Sequence, residues 1–292
     1  MSSDPAGGAS GLLLGLASAV SWGAGDFGGG LAARRGNVYG VVAVSQALGL
    51  VLLAGLALLL AEPPPAPVDL TWGAAAGLAG GLGLVALYRG LALGRMGVAA
   101  PLAAVVSAGL PVLFGGVVEG LPNPTQIAGF SLALAAVWLL SRSEGDGPAR
   151  LRWSELGLPL LAGLGFGLFL IIIDHASERA VLWPLVAARG ASLALMAGLV
   201  LGGHRGAPSG REVLPGRRLL GLVALVGLFD TGGNALYALA AQAGRLDVAA
   251  TLSSLYPATT VLLARLILKE RLAPRQWLGA VAALAAVVLI AA

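Results

Sequence analysis

Hydrophobic residues run along this chain in long uninterrupted stretches, and polar residues collect in the short gaps between them. The stretches predict ten helices, at about 11–33, 38–61, 71–93, 98–119, 125–141, 156–177, 181–202, 219–241, 247–268 and 274–291. Each approaches the roughly 20 mainly apolar residues needed to cross the hydrocarbon core of a bilayer. The gaps EPPPAPVD (62–69), RSEGDGPARLR (142–152) and GGHRGAPSGREVLPGRR (202–218) read as loops, none long enough for a soluble domain. A β-barrel would need alternating polar and apolar positions, and VLLAGLALLLA does not alternate. The fold class is therefore an all-α polytopic membrane protein.

Composition supports this reading. Only 11% of the 292 residues are charged and the mean hydropathy is +0.89, where a soluble domain carries about a quarter charged residues. The 45 glycines would weaken a soluble helical protein, but in a bilayer small residues let helix backbones approach. Gly73-x3-Gly77-x3-Gly81 is such a face and predicts tightly crossed helices there. The absence of cysteine excludes disulfides, thiolate catalysis and cysteine metal sites. The opening MSSDPAGGAS has no basic stretch and does not read as a cleaved signal.

Charge placement sets the orientation. Thirteen of the 18 basic residues follow odd-numbered helices, from Arg34-Arg35 to Arg275, whereas only Arg179 and Arg245 follow even-numbered ones. Basic loops face the cytoplasm. This places a multi-pass chain in the inner (plasma) membrane, with both termini on the periplasmic or extracellular side.

The chain also repeats itself. GRMGVAA at 94–100 recurs as GRLDVAA at 244–250, and Pro124-x-Gln126-x-x-Gly129 recurs as Pro274-x-Gln276-x-x-Gly279, both offset by 150. Ala86-Leu87-Tyr88 matches Ala235-Leu236-Tyr237, Glu119 matches Glu270, and Ala54-Gly55-Leu56 matches Ala197-Gly198-Leu199. Aligning Gly15 with Gly163 sets Asp26 against Asp174. The halves, 1–147 and 148–292, each hold five helices. An odd number puts tandem copies in opposite orientations, as two inverted-topology repeats, an arrangement suited to alternating access.

These residues carry a resemblance to the drug/metabolite transporter superfamily, EamA type: Trp22-Gly23 in helix 1, Tyr88 with GRMGVAAP (94–101), and a Glu followed by Pro-x-Gln-x-x-Gly in each half. The resemblance covers nearly the whole chain. It implies ten helices around a central cavity lined mainly by helices 1, 3, 4, 6, 8 and 9, with helices 5 and 10 peripheral. Members move amino acids, nucleotide sugars, phosphorylated metabolites or drugs. Helix 6 departs from the pattern: it has Leu168-Phe169 and no Trp-Gly pair, so the contacts of Trp22 are not expected to be mirrored.

Ionisable residues inside apolar helices are functional candidates by default. Trp22 and Asp26 share a face of helix 1 at i, i+4, and Asp230, Asn234 and Tyr237 share a face of helix 8 at i, i+4, i+7. Asp26 either faces the cavity or pairs with Arg34-Arg35. Arg189 in helix 7 stands where the first half has Gln46; its partner is a substrate carboxylate or phosphate, Asp174 or Asp230. Asp174 pairs with Arg179 or, with His175, relays protons. Arg89 and Arg265 snorkel from helix ends. Pro101, Ser107 and Pro111 in helix 4, and Ser253, Ser254, Tyr256 and Pro257 in helix 9, predict interrupted helices beside a binding site. The candidate substrate-binding set is Trp22, Asp26, Tyr88, Ser107, Arg189, Asp230, Asn234, Tyr237 and Tyr256. The candidate proton-coupling set is Asp26, Asp174, His175 and Asp230.

Three classes of function fit an apolar helical chain. A secondary transporter explains the duplication; no Walker-type GxxxxGK[ST] is present, so its energy comes from a gradient. An intramembrane aspartyl protease is suggested by GAGD at 23–26, a GxGD match, and by Asp230-Thr231-Gly232, but the partner PAL motif is absent. Gly8-Ala9-Ser10-Gly11 mimics a rhomboid serine motif with no dedicated histidine. A channel would draw its pore from several copies, whereas the duplication equips one chain with its own pathway. The expectation is a non-enzymatic exporter or exchanger of a small polar or zwitterionic metabolite such as an amino acid. The alternatives are an intramembrane aspartyl protease of the GxGD kind and proton-coupled drug efflux within the same fold. No cofactor, metal or nucleic acid is implied; the partners are a small-molecule substrate and the lipid bilayer, and the chain acts as a monomer or weak dimer. Single cysteines at 34 and 275 test the topology: both are expected to react with an impermeant thiol reagent from the cytoplasmic face, and reaction from opposite faces would refute the helix count.

Overall fold

The computed structural model describes residues 5–33, 35–92, 96–118, 120–140, 153–201, 214–267 and 274–291. Among them there is no strand. The helical segments are α1 (Pro5–Ala33), α2 (Val38–Leu59), α3 (Pro67–Ala92), α4 (Met96–Val118), α5 (Pro124–Leu140), α6 (Trp153–Ala176), α7 (Leu182–Leu201), α8 (Arg217–Ala243), α9 (Leu246–Ser253), α10 (Tyr256–Ile267) and α11 (Pro274–Ala291). They are ten spans, because α9 and α10 are the expected ninth helix broken at Ser254-Leu255. Pro257 has no N–H for the carbonyl of Ser253, and a tighter turn takes over, with Leu255 N–H on Leu252 O at 3.1 Å. The expected break in α4 does not occur: despite Pro101 and Pro111 it stays helical from Met96 to Val118. Prolines are tolerated in membrane helices where neighbours satisfy the freed groups, and α6 packs on α4 at this level, Gly167 against Ser107 O.

Packing follows the duplication. α1 lies on α8 as α6 lies on α3; α2 lies on α8 as α7 lies on α3; α1 meets α9 and α10 as α6 meets α4. α2 packs on its own counterpart α7, and α5 on α11. The dominant contacts thus join one half to the other, which is how a duplicated, oppositely oriented pair buries its faces.

The close approaches use glycine as predicted. Gly73, Gly77 and Gly81 of α3 meet Pro184, Ala188 and Ser192 of α7, each pair one turn on from the last. Large side chains such as Leu59, Val117 and Leu121 point outward and are strongly exposed, as on a surface that meets lipid tails.

Loops after even-numbered spans meet on one face of the bundle. Ala61 takes a left-handed conformation (φ 49°) and turns the chain so that Glu62 N–H returns to Ala57 O. The Glu62 carboxylate then accepts from the backbone N–H groups of Val181, Leu182 and Trp183 at 2.9–3.1 Å, capping α7 from the other half. Trp183 Nε1–H donates to Glu62 O at 3.2 Å, Arg179 bonds both oxygens of Asp69 at 3.3 Å, and Gln242 donates to Ser177 O. Arg245 ties Asp247 and Gly120 O on the same side. Glu62→Ala removes charge-assisted hydrogen bonds worth about 1.5–3 kcal/mol each. Its melting temperature in detergent should fall by several degrees, and an unchanged value would show that the cap does not hold the halves together.

Candidate functional site

A cavity lies between the halves at the level of the central turns, with about 830 Å³ of unfilled space when the open solvent at its mouth is included. Its walls come from α1, α3, α4, α6, α8 and the α9–α10 break, as the resemblance implied, and also from α2 through Gln46 and from α7 through Ala188, Arg189 and Ser192. The added walls follow from the packing of α2 on α7 beside the cavity. Gly77, Gly80 and Gly81 keep the α3 wall low. A Cβ at Gly80 would stand 3.2 Å from the ring of Phe169, so the glycine makes room for that aromatic.

The polar centre is Arg189, which is 3% exposed. Its guanidinium donates to Gln46 Oε1 at 2.5 Å and forms an ion pair with Asp230. Gln46 and Arg189 are 143 residues apart, the same offset as Ala54 and Ala197. They are therefore equivalent positions of the two repeats, meeting where α2 crosses α7. Gly49 opens the slot for the Arg189 side chain, with only 3.3 Å from its would-be Cβ to Nε. Breaking a buried pair by removing one partner leaves an uncompensated charge, at a cost of about 3–5 kcal/mol. The Arg189 Nη2 group is buried without a hydrogen-bond partner, as are Ser192 Oγ and Thr231 Oγ1.

On the other wall, Trp22 Nε1–H donates to Asn234 Oδ1 at 2.8 Å, and the Trp22 ring stacks on Tyr237 at 5.8 Å. Gly233 leaves space for that ring, and Ser18 and Ser21 of α1 donate to α8 carbonyls at 2.8 and 2.6 Å. These contacts lock α1 to α8 in one register. One turn beyond Trp22, Asp26 is exposed into the cavity. Among the described residues it has no hydrogen-bond or ion-pair partner. A Cβ at Gly25 would stand 3.3 Å from the Asp230 amide nitrogen, so the two carboxylates come from closely packed turns of touching helices.

Of the sequence-predicted site residues, Trp22, Asp26, Ser107, Arg189, Asp230, Asn234 and Tyr256 line the cavity. Tyr237 does not: it is fully buried behind Trp22, its hydroxyl donating to Leu170 O at 3.1 Å. The expectation of a cavity-facing Tyr237 fails because the stack on Trp22 puts the larger ring in front. Asp174 and His175 also stand apart from the cavity, near the end of α6. His175 is exposed, pairs with Glu178 at 2.9 Å and meets the edge of Trp72, while Arg179 reaches Asp69. The relay expected of Asp174 and His175 thus has no place in the cavity wall, since α6 carries both past it. The side chains of Tyr88, Arg89, Arg265, Glu119 and Glu270, and Arg34 as a possible partner of Asp26, lie outside the described residues. Ser192, Phe166 and Phe169 were missed; Ser192 could have been found, because it is one turn from Arg189 on the same face. The contacts of Trp22 are indeed unmirrored: positions 148 and 149 away from Trp22 and Asn234 hold Leu170 and Val85.

The comparisons with known proteins agree with this architecture. No curated protein matches the chain. Among solved structures 25 chains match; one crystal structure superposes with a TM-score of 0.78 at 17% identity, covering 96% of each chain, and so shares the fold. The profile of the EamA-like transporter family matches twice, over residues 9–142 and 153–292. With both halves matched, the chain belongs to the EamA-like transporter family.

Proposed function

We propose that this transporter carries a small polar or zwitterionic metabolite across the inner (plasma) membrane by alternating access between its two repeats, acting as an exporter or exchanger. The observation that carries the reading is the midspan cavity walled by both halves, with the free Asp26 carboxylate and the Arg189–Asp230 pair facing one space. A site at the interface of inverted repeats changes its exposure when the halves rock against each other. The internal duplication equips one chain with its own pathway, which supports a monomer or weak dimer. Substrate contact falls to Trp22, Asp26, Ser107, Asn234 and Tyr256, and coupling to a proton gradient falls to Asp26 and Asp230. The basic loops after odd-numbered spans support periplasmic or extracellular termini.

Proteolysis by Asp26 and Asp230 fits less well. An aspartyl dyad shares one proton between two carboxylates, and Asp230 is held instead by Arg189.

Reconstitution in liposomes with a panel of radiolabelled metabolites, with and without a pH gradient, tests the proposal. Uptake of at least one compound is expected, and loss of uptake in Asp26→Asn with unchanged melting temperature. Cleavage of membrane peptides with no flux of any panel member would overturn it. Arg189→Gln should unfold or strongly destabilise the chain, and Arg189→Gln with Asp230→Asn should recover most of that stability. Equal damage in the single and double variants would show that the pair is not what holds Arg189.

A further inference from the structure

The cavity carries more negative than positive charge. Its described lining has three charged side chains, Asp26, Arg189 and Asp230. Arg189 and Asp230 neutralise each other as an ion pair. Asp26 is left over, exposed into the cavity and, among the described residues, without a hydrogen-bond or ion-pair partner. An uncompensated carboxylate at the middle of a membrane-spanning bundle is costly. In the empty cavity a proton on Asp26 removes the cost; the organic occupant that removes it in the proton's place brings one net positive charge, whereas a zwitterion leaves the imbalance as it was and an anion doubles it.

The surroundings say what kind of cation. Trp22 stands one turn from Asp26 on the same face of α1, and Tyr256 and Phe169 complete an aromatic wall. Aromatic faces attract ammonium groups. Beside the pair, Arg189 Nη2 and Ser192 Oγ are buried without a hydrogen-bond partner. Both residues line the cavity, so a side-chain rotation on loading would let these groups donate to a neutral acceptor such as an amide carbonyl or a hydroxyl. Arg189 is a poor receptor for a substrate carboxylate, because its charge is already answered by Asp230, which a second anion would have to displace.

Resting on the reading of this cavity as the substrate site, we infer that the preferred substrate is a monocation: a protonated primary amine, taken by Asp26, with a neutral hydrogen-bond acceptor a few atoms away. Amino amides and amino alcohols have this form. An ordinary amino acid is a weaker ligand because its carboxylate cancels the charge the cavity lacks.

The test compares ligands that share a side chain and differ in charge. Phenylalaninamide (+1), phenylalanine (zwitterion) and N-acetylphenylalanine (−1) are titrated into the purified full-length chain in detergent at fixed pH and ionic strength, with Kd read by calorimetry. The amide should bind at least about tenfold more tightly than the amino acid, and the N-acetyl compound weakest. Asp26→Asn should remove the amide's advantage, and Asp26→Glu should keep it. An amino acid that binds as tightly as its amide, a ranking unchanged in Asp26→Asn, or no binding of the amide at all would overturn the inference. The ranking in the unaltered protein decides even where a variant fails to fold. Liposome flux of the same compounds separates this outcome from the transport reading. Flux of phenylalanine without flux of the amide sinks the charge assignment alone, whereas amide binding with no flux of any compound sinks transport alone.

Discussion

A guanidinium cannot stand uncompensated in the middle of a membrane-spanning bundle, and Arg189 sits there almost wholly buried. The three helices around it meet on that condition. α8 supplies Asp230, α2 supplies Gln46, and Gly49 leaves the slot through which the side chain reaches them. Because Gln46 and Arg189 are equivalent positions, the ion pair marks the place where the two repeats cross and where their symmetry is broken. The first half keeps a neutral amide where the second has a cation. The group that neutralises the cation, Asp230, belongs to the same half as Arg189, so the pair ties α7 to α8 while the amide ties both to α2. Among the described residues that line the cavity, Asp26 is thereby left as the one carboxylate without an ion-pair partner, and the chemistry proposed for the site follows from that remainder.

Close packing makes this geometry possible. Glycines of α3 meet the backbone of α7, Gly233 admits the Trp22 ring, and Gly227 meets Ser45 O. In lipid, helix association draws on such van der Waals contact and on interhelical hydrogen bonds. Both are present on the α1–α8 seam, where Ser18, Ser21 and Trp22 all bond across. At the edge of the bundle, the Glu62 cap on α7 also joins the halves, its charge met by backbone N–H groups of the other repeat, where Arg189 reaches the other repeat through Gln46.

Much of the fold was legible in the sequence because one physical variable, the length of apolar runs, sets the spans. α11 was placed at 274–291 as observed, and the other helix ends fell within about four residues, except that α1 begins six residues earlier than expected, at Pro5. The break at Ser254-Leu255 was signalled by Pro257, whereas Pro101 and Pro111 gave the same signal in α4 without a break, since tolerance of proline depends on neighbours that spacing does not name. In the site, shared helical faces identified Trp22 with Asp26 and Asp230 with Asn234. Spacing could not tell that Tyr237 is screened by Trp22, because that depends on a ring from another helix. It also left Arg189 with several partners and offered nothing on Glu62, whose role exists only once α7 begins beside it.

The central claim is that the cavity walled by both repeats is a passage exposed to each side in turn. The absence of native cysteine allows a direct test. Leu84 lines the cavity on α3. In oriented proteoliposomes, Leu84→Cys should be modified by an impermeant thiol reagent applied to either face, with the two rates shifting in opposite directions when a transported compound is added. Modification from one face only, at a rate that no transported compound changes, would contradict the account.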